Sequence, residues 1–137
     1  MVKLKKNKWD SLFSKIIRTR DNWRCSRPRC RTQYLPPTNA LHNSHYFGRS
    51  KYSTRFDEEN CDALCHGCHS YWGSTDPVGY RNFKINQLGE DGFNALMIRS
   101  NMRASKSDYY NEIYYLALQV RYKEINEKYQ QTTLLSY

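Results

Sequence analysis

Three short stretches decide the fold: Cys25-Ser26-Arg27-Pro28-Arg29-Cys30, Leu41-His42-Asn43-Ser44-His45-Tyr46-Phe47 and Cys65-His66-Gly67-Cys68-His69. The outer two are cysteine pairs at knuckle spacing, with four residues inside one pair, two inside the other and 34 between them. Zinc takes four thiolate or imidazole ligands in a tetrahedron, so Cys25, Cys30, Cys65 and Cys68 are expected to form one structural zinc site. Two disulfides would use the same cysteines, but disulfides belong to oxidising compartments. The opening run Met1-Val2-Lys3-Leu4-Lys5-Lys6 is basic with no apolar segment after it, which is not a secretory signal. A cytoplasmic place, in a bacterial or phage-infected cell, is therefore expected. Cys61 is left over and reads as a buried thiol. His66 lies inside the second knuckle and has no role in this reading.

Working outward, the chain divides into a basic N-terminal arm and helix (1–24), a central part holding the knuckles (25–73) and a helical C-terminal part (74–137). Trp9, Leu12, Phe13, Ile16 and Ile17 recur at helical spacing behind the cap Asn7, predicting an amphipathic helix over roughly 8–20. Leu41–Phe47 reads as a short strand, 48–54 as a basic polar loop and Phe56–Leu64 as a second extended piece. A short helix is expected from Cys65 to Trp72. Asp76-Pro77 is a cap followed by proline at the first helical position, predicting a helix that ends near Leu88-Gly89. A short helix within 91–103 and a last one over about 108–130, capped by Ser107, complete an α+β domain.

The 137 residues carry 22 Lys plus Arg against 13 Asp plus Glu, a net charge of +9. Residues 1–31 hold eleven of the basic side chains and only Asp10 and Asp21 as acids, so the whole excess lies there. That asymmetry implies a polyanion partner, and nucleic acid is the commonest. Lys8, Lys15, Arg18, Arg20 and Arg24, with Arg49, Lys51 and Arg55 from the later loop, are the candidate DNA-binding side chains. No apolar run reaches the roughly 20 residues that span a bilayer, which excludes a membrane helix. Asp57, Glu58 and Glu59 read as a solvated acidic turn, and Tyr71 and Trp72 as core aromatics.

His45, Asn60 and His69 follow one another in a His-Asn-His order, 15 and then 9 positions apart, inside flanking cysteine knuckles. With Ser-His-Tyr at 44–46, Arg55-Phe56 before Asn60, and Tyr80-Arg81 followed by Leu88-Gly89, roughly residues 9–100 resemble the HNH nucleases, also called ββα-metal or His-Me fingers. More narrowly, they resemble phage recombination nucleases of the NinG/Rap type. The resemblance implies a small ββα-metal finger in which His45 is the general base. It makes Asn60 an orienting residue and in some members a metal ligand, and His69 a ligand of one divalent cation, Mg²⁺ or Mn²⁺. A neutral imidazole is a suitable base near pH 7, and no carboxylate cluster is present for a two-metal site. Arg49, four residues after His45, is expected on a phosphate, since a guanidinium grips it bidentately. Many members carry Asp or His as a metal ligand immediately before the base; here Ser44 is a poor ligand. Strand alternation sets His42 on the Ser44 face, so it is the candidate replacement, against the plainer reading of a packed or solvated strand histidine.

The last helix carries two apolar stripes, Ile113-Leu116-Ala117-Val120 and Tyr110-Tyr114-Leu118-Tyr122-Ile125-Tyr129. One core needs only one stripe, so the helix is either wrapped by the rest of the chain or paired with another copy. Tyrosine suits a surface that is wet when free and dry when bound, so a homodimer through this Tyr-rich helix is expected. The resulting expectation is a metal-dependent DNA endonuclease, acting in recombination on branched DNA such as a Holliday junction. A nicking or restriction-type enzyme, a non-catalytic zinc-knuckle binder and a DNA-packaging protein are the alternatives.

Overall fold

The computed structural model describes residues 7–135; the basic run Met1–Lys6 lies outside them. Helix α1 spans Lys8–Arg20, and the Asn7 side chain caps it by accepting from the Asp10 amide at 2.9 Å. Its inner face buries Phe13, Ile16 and Ile17, as the periodicity predicts. Past its end, Asn22 and Trp23 adopt positive φ (61° and 56°) and turn the chain into the first knuckle.

Strands β1 (His42–His45) and β2 (Cys61–Leu64) form an antiparallel pair with His42 opposite Leu64 and His45 opposite Cys61. All four β2 residues are buried. The link between the strands is more ordered than the loop expected at 48–54: it contains a single-turn helix α2 (Tyr52–Arg55) and a 3-10 turn at Glu58–Asn60. Helix α3 (His66–Ser70) follows β2 and continues into one π turn, Tyr71–Thr75, that seats Trp72 in the core. Trp72 stacks on Tyr80 at 4.9 Å and 12°, as the core reading has it.

Helix α4 (Pro77–Ser100) merges the two helices expected there, broken where Gly89 takes φ 74° and ψ 166°. That positive φ strains any residue with a side chain, so the expected stop at Leu88-Gly89 is a kink. Helix α5 runs from Glu112 to Leu135, later than expected, because the Asn111 side chain and not Ser107 accepts from its third amide. Ser105 and Asp108 cap the 3-10 turn before it. Helix α5 lays its tyrosine stripe along α1: Leu118 and Ile125 are buried, and Tyr110, Tyr114 and Tyr122 pack on the same core. The tyrosine-bearing stripe is thus used within the chain, while Ile113, Leu116 and Val120 are 83%, 61% and 59% exposed.

Two buried ionic braces and a half-buried one lock these layers. Arg55, 1% exposed, donates from Nε and Nη2 to the two Asp10 carboxylate oxygens at 2.9 and 2.8 Å. Lys84 donates to Asp62, to Gln87 and to the Glu59 carbonyl. Arg20 donates to the carbonyls of Glu58 and Cys61 and pairs with Asp21. Arg20 and Arg55 therefore hold the fold, and neither is the free cation read from the sequence. Among the described residues no helix is long and apolar enough to cross a membrane.

Candidate functional site

The two cysteine pairs meet. The Sγ atoms of Cys25, Cys30, Cys65 and Cys68 all lie within 4.8 Å of one another, and all five cysteines are free thiols, not disulfides. Ser26 donates its amide to the Ala63 carbonyl, tying the first knuckle to β2. Cys65 caps α3 by accepting from the Cys68 amide. Burial pushes the Cys25 thiol up. Burial opposes ionisation at Cys30 too, but hydrogen bonds from Thr32 prevail and bring that thiol down to about 7. Arg27 leans a guanidinium nitrogen to 3.6 Å from Cys68 Sγ. Four convergent thiols of which two are buried, with a cation beside them, suit a metal ion that holds them as thiolates. Cys61 is fully buried, and burial raises its thiol well above normal; it stands outside the cluster.

Beside this cluster the histidines converge. His42 on β1 and His69 on α3 bring their Nδ1 atoms to 2.9 Å, with rings 5.1 Å apart and nearly perpendicular. His66 lies edge-on to His42 at 5.3 Å. Burial, His42 and His66 all lower the pKa of His69, favouring a neutral ring with a free lone pair. Ser44, on the His42 face, is buried and shares a 2.7 Å hydrogen bond with Tyr80 Oη, so it belongs to the core.

His45 occupies the opposite strand face. Its Nε2 donates to the Arg55 carbonyl at 2.9 Å, which leaves the lone pair on Nδ1. Burial and the charges of Arg49 and Arg55 push its pKa down to about 4, against the Arg55 hydrogen bond and Asp10. The ring is therefore neutral at pH 7. A cavity of about 240 Å³ is lined by His42, His45, Asn43, Ser14, Arg18 and Arg49, among others. Arg49 approaches Asp10 at 3.7 Å and is otherwise open to the cavity's rim. Arg18 stacks on Trp23 at 5.4 Å, and its buried Nε has no hydrogen-bond partner among the described residues; burial lowers its pKa.

Asn60 departs from the metal-ligand expectation. It is fully buried; its Oδ1 accepts from the Phe47 amide and its Nδ2 donates to the carbonyls of Phe47 and Thr54. All its polar capacity goes into closing the β1–β2 link, so it is a loop brace. Of the basic side chains, Lys8 pairs with Glu112, Lys15 lies over the Tyr122 ring, Arg24 donates to the Leu35 carbonyl and Lys51 reaches the Ser100 carbonyl. Asp10, Ser14 and Asn43 were missed as cavity residues. Asn43 was legible, because it stands two positions before His45 and so shares its face; Asp10 and Ser14 reach the cavity only through the docking of α1.

Comparison with known proteins finds nothing alike: no family model, no curated protein and no solved structure matches this chain.

Proposed function

We propose that the protein is a metal-dependent DNA endonuclease of the HNH type. The observation that carries this reading is a neutral histidine, His45, lining one cavity with His42, Arg18 and Arg49, while His42 and His69 aim a nitrogen pair at one point. Zinc is the ion best suited to the four cysteines: the 3.9 Å between the sulfurs of Cys30 and Cys65 is close to the edge, about 3.8 Å, of a tetrahedron with 2.3 Å zinc–sulfur bonds. In this reading the two imidazoles would hold a second, divalent cation, Mg²⁺ or Mn²⁺, whose remaining ligands would be the water and phosphate oxygens that those ions prefer. When bound, that cation would offset the charge that builds on the scissile phosphate and the leaving oxygen.

The chain's own residues supply the rest. Nδ1 of His45 takes the proton of the attacking water, while its Nε2–H stays fixed on the Arg55 carbonyl. Arg49 and Arg18 hold the phosphodiester, and Arg18 Nε gains the acceptor it lacks. Asn60 keeps the β1–β2 link closed and so keeps His45 in place. The reading extends to a recombination role on branched DNA, with a second copy docking on the exposed Ile113-Leu116-Val120 stripe. Sedimentation at micromolar concentration that gives only a 16.4 kDa species removes the second copy. Supercoiled and four-way-junction DNA incubated with Mg²⁺ or Mn²⁺ tests the reading: nicked or linear products support an enzyme, and a preference for the junction supports the branched substrate. Shifted but intact DNA favours a zinc-knuckle binder or packaging protein instead.

A further inference from the structure

A second concavity shares no lining residue with the first. It is a groove of about 580 Å³ between the first knuckle and the first half of α4, with Arg27, Trp72, Asn82, Phe83, Asn86 and Gln87 among its lining. Its size falls in the range of about 300–1,000 Å³ of sites for single small ligands. Trp72 and Phe83 form its apolar part, their rings 4.9 Å apart and tilted by 35°. Trp72 is fixed from behind by Tyr80. Asn82 and Asn86 are one helical turn apart on the same face of α4, both exposed. Neither carboxamide is engaged by another described residue. Gln87, by contrast, is bound to Lys84 and Asp62 and forms a fixed wall. Arg27 is held over the rings of Tyr71 and Trp72 at 4.7 and 5.4 Å, and no carboxylate lines the groove among the described residues.

We infer that this groove binds one unpaired nucleotide of the DNA substrate, its base against Phe83 and the edge of Trp72, its polar edge on Asn82 and Asn86, and its phosphate on Arg27. The inference rests on the nuclease reading and names which part of a substrate the enzyme recognises. A carboxamide offers a donor and an acceptor together, which is what a base edge needs once its pairing partner is gone. An aromatic floor is tolerant of base identity, because every base has a π-face. An arginine with no acidic neighbour in the groove complements a phosphate. Trp72 follows His69 by three residues along one helical segment, so the nucleotide held here is a near neighbour of the one cut. A duplex cannot offer such a base without breaking a pair; a branch point, flap or single-stranded end can.

The test uses the full zinc-loaded chain and two forms of a junction, one with a base and one abasic at an unpaired position beside the branch. Binding is read by anisotropy, and 2-aminopurine at that position reports stacking by its fluorescence. Removing the base should weaken binding about tenfold, as should Asn82→Ala with Asn86→Ala, and the two losses should not add. Both substitutions lie on an exposed helix face, where alanine favours the helix. Blunt-duplex binding should be unchanged. Equal affinity for the basic and abasic forms, or unquenched 2-aminopurine, overturns the inference. Nicking that persists beside base-independent binding strikes the groove alone; base-dependent binding with no nicking strikes the nuclease reading alone.

Discussion

Asp10→Ala removes the carboxylate that faces Arg55 from within α1. The pair is bidentate at 2.9 and 2.8 Å, and the side chains are 7% and 2% exposed. What remains around the guanidinium is the Arg49 carbonyl at 2.8 Å and two tyrosine rings at 5.4 and 5.9 Å. A buried charge stripped of its partner costs about 3–5 kcal/mol, whereas an exposed pair is worth under about 1 kcal/mol. With a urea slope of about 2 kcal/mol per molar for a chain of this size, the midpoint should fall by about 2 M. The double variant Asp10→Leu, Arg55→Met leaves no buried unpaired charge, since Arg49, the other partner of Asp10, is partly exposed, and should be less damaging than the single change. The backbone matters as well, because the Arg55 carbonyl holds His45 Nε2. Where Asp10→Ala remains folded, any nicking activity should fall with it. A midpoint shift of less than about 0.5 M, or a double variant worse than the single, would refute the assignment of Asp10–Arg55 as a buried brace.

Three further outcomes are expected. His45 is held neutral in the fold, so between its ordinary pKa and about 4 the unfolded chain binds the extra proton. Stability should then fall as pH drops from about 6.5 to 4, by up to about 3 kcal/mol, and urea midpoints of His45→Ala should lack that component. By the same shift, kcat/KM at saturating cation should be flat from about pH 5.5 to 8, with no inflection near 6.5. On the zinc reading of the four cysteines, a strong chelator should abolish the cooperative melt, since a structural zinc site contributes about 10–16 kcal/mol, comparable with such a domain's whole net stability; an unchanged melt with the metal shown to be gone would contradict this. In protein whose cysteine site is already filled, His42→Ala should weaken Mn²⁺ binding at least about tenfold, and equal affinity removes His42 from the cation's ligands.

The parts of the fold that rest on local chemistry were legible. The helix Lys8–Arg20 begins and ends where its cap and periodicity say, and the cysteine spacing anticipates four sulfurs in one cluster. What failed depends on tertiary choice. Arg20, Arg55 and Asn60 are charged or polar, and composition sets such residues at the surface or in a site. Here Arg55 and Asn60 are buried and Arg20 is half-buried, because backbone carbonyls and Asp10 or Asp21 satisfy them. The two stripes of α5 are legible from periodicity, but which of them faces α1 is decided by packing that no periodicity encodes. His42 was left open between ligand and bystander; only the docking of α3 against β1 brings it to His69. Gly89 signalled a break, and its positive φ supplies one, yet the helix resumes on the far side.

On the nuclease reading, His45 performs the chemistry and does not merely hold the fold. That role is tested most directly by one comparison: nicking of supercoiled DNA by the parent and by His45→Ala, with Mg²⁺ or Mn²⁺ present and with zinc content and DNA affinity measured on the same samples. Nicking by the parent and none by the variant are expected, at equal zinc content and equal affinity. A variant that still nicks, or a parent that binds DNA and leaves it intact, would contradict it.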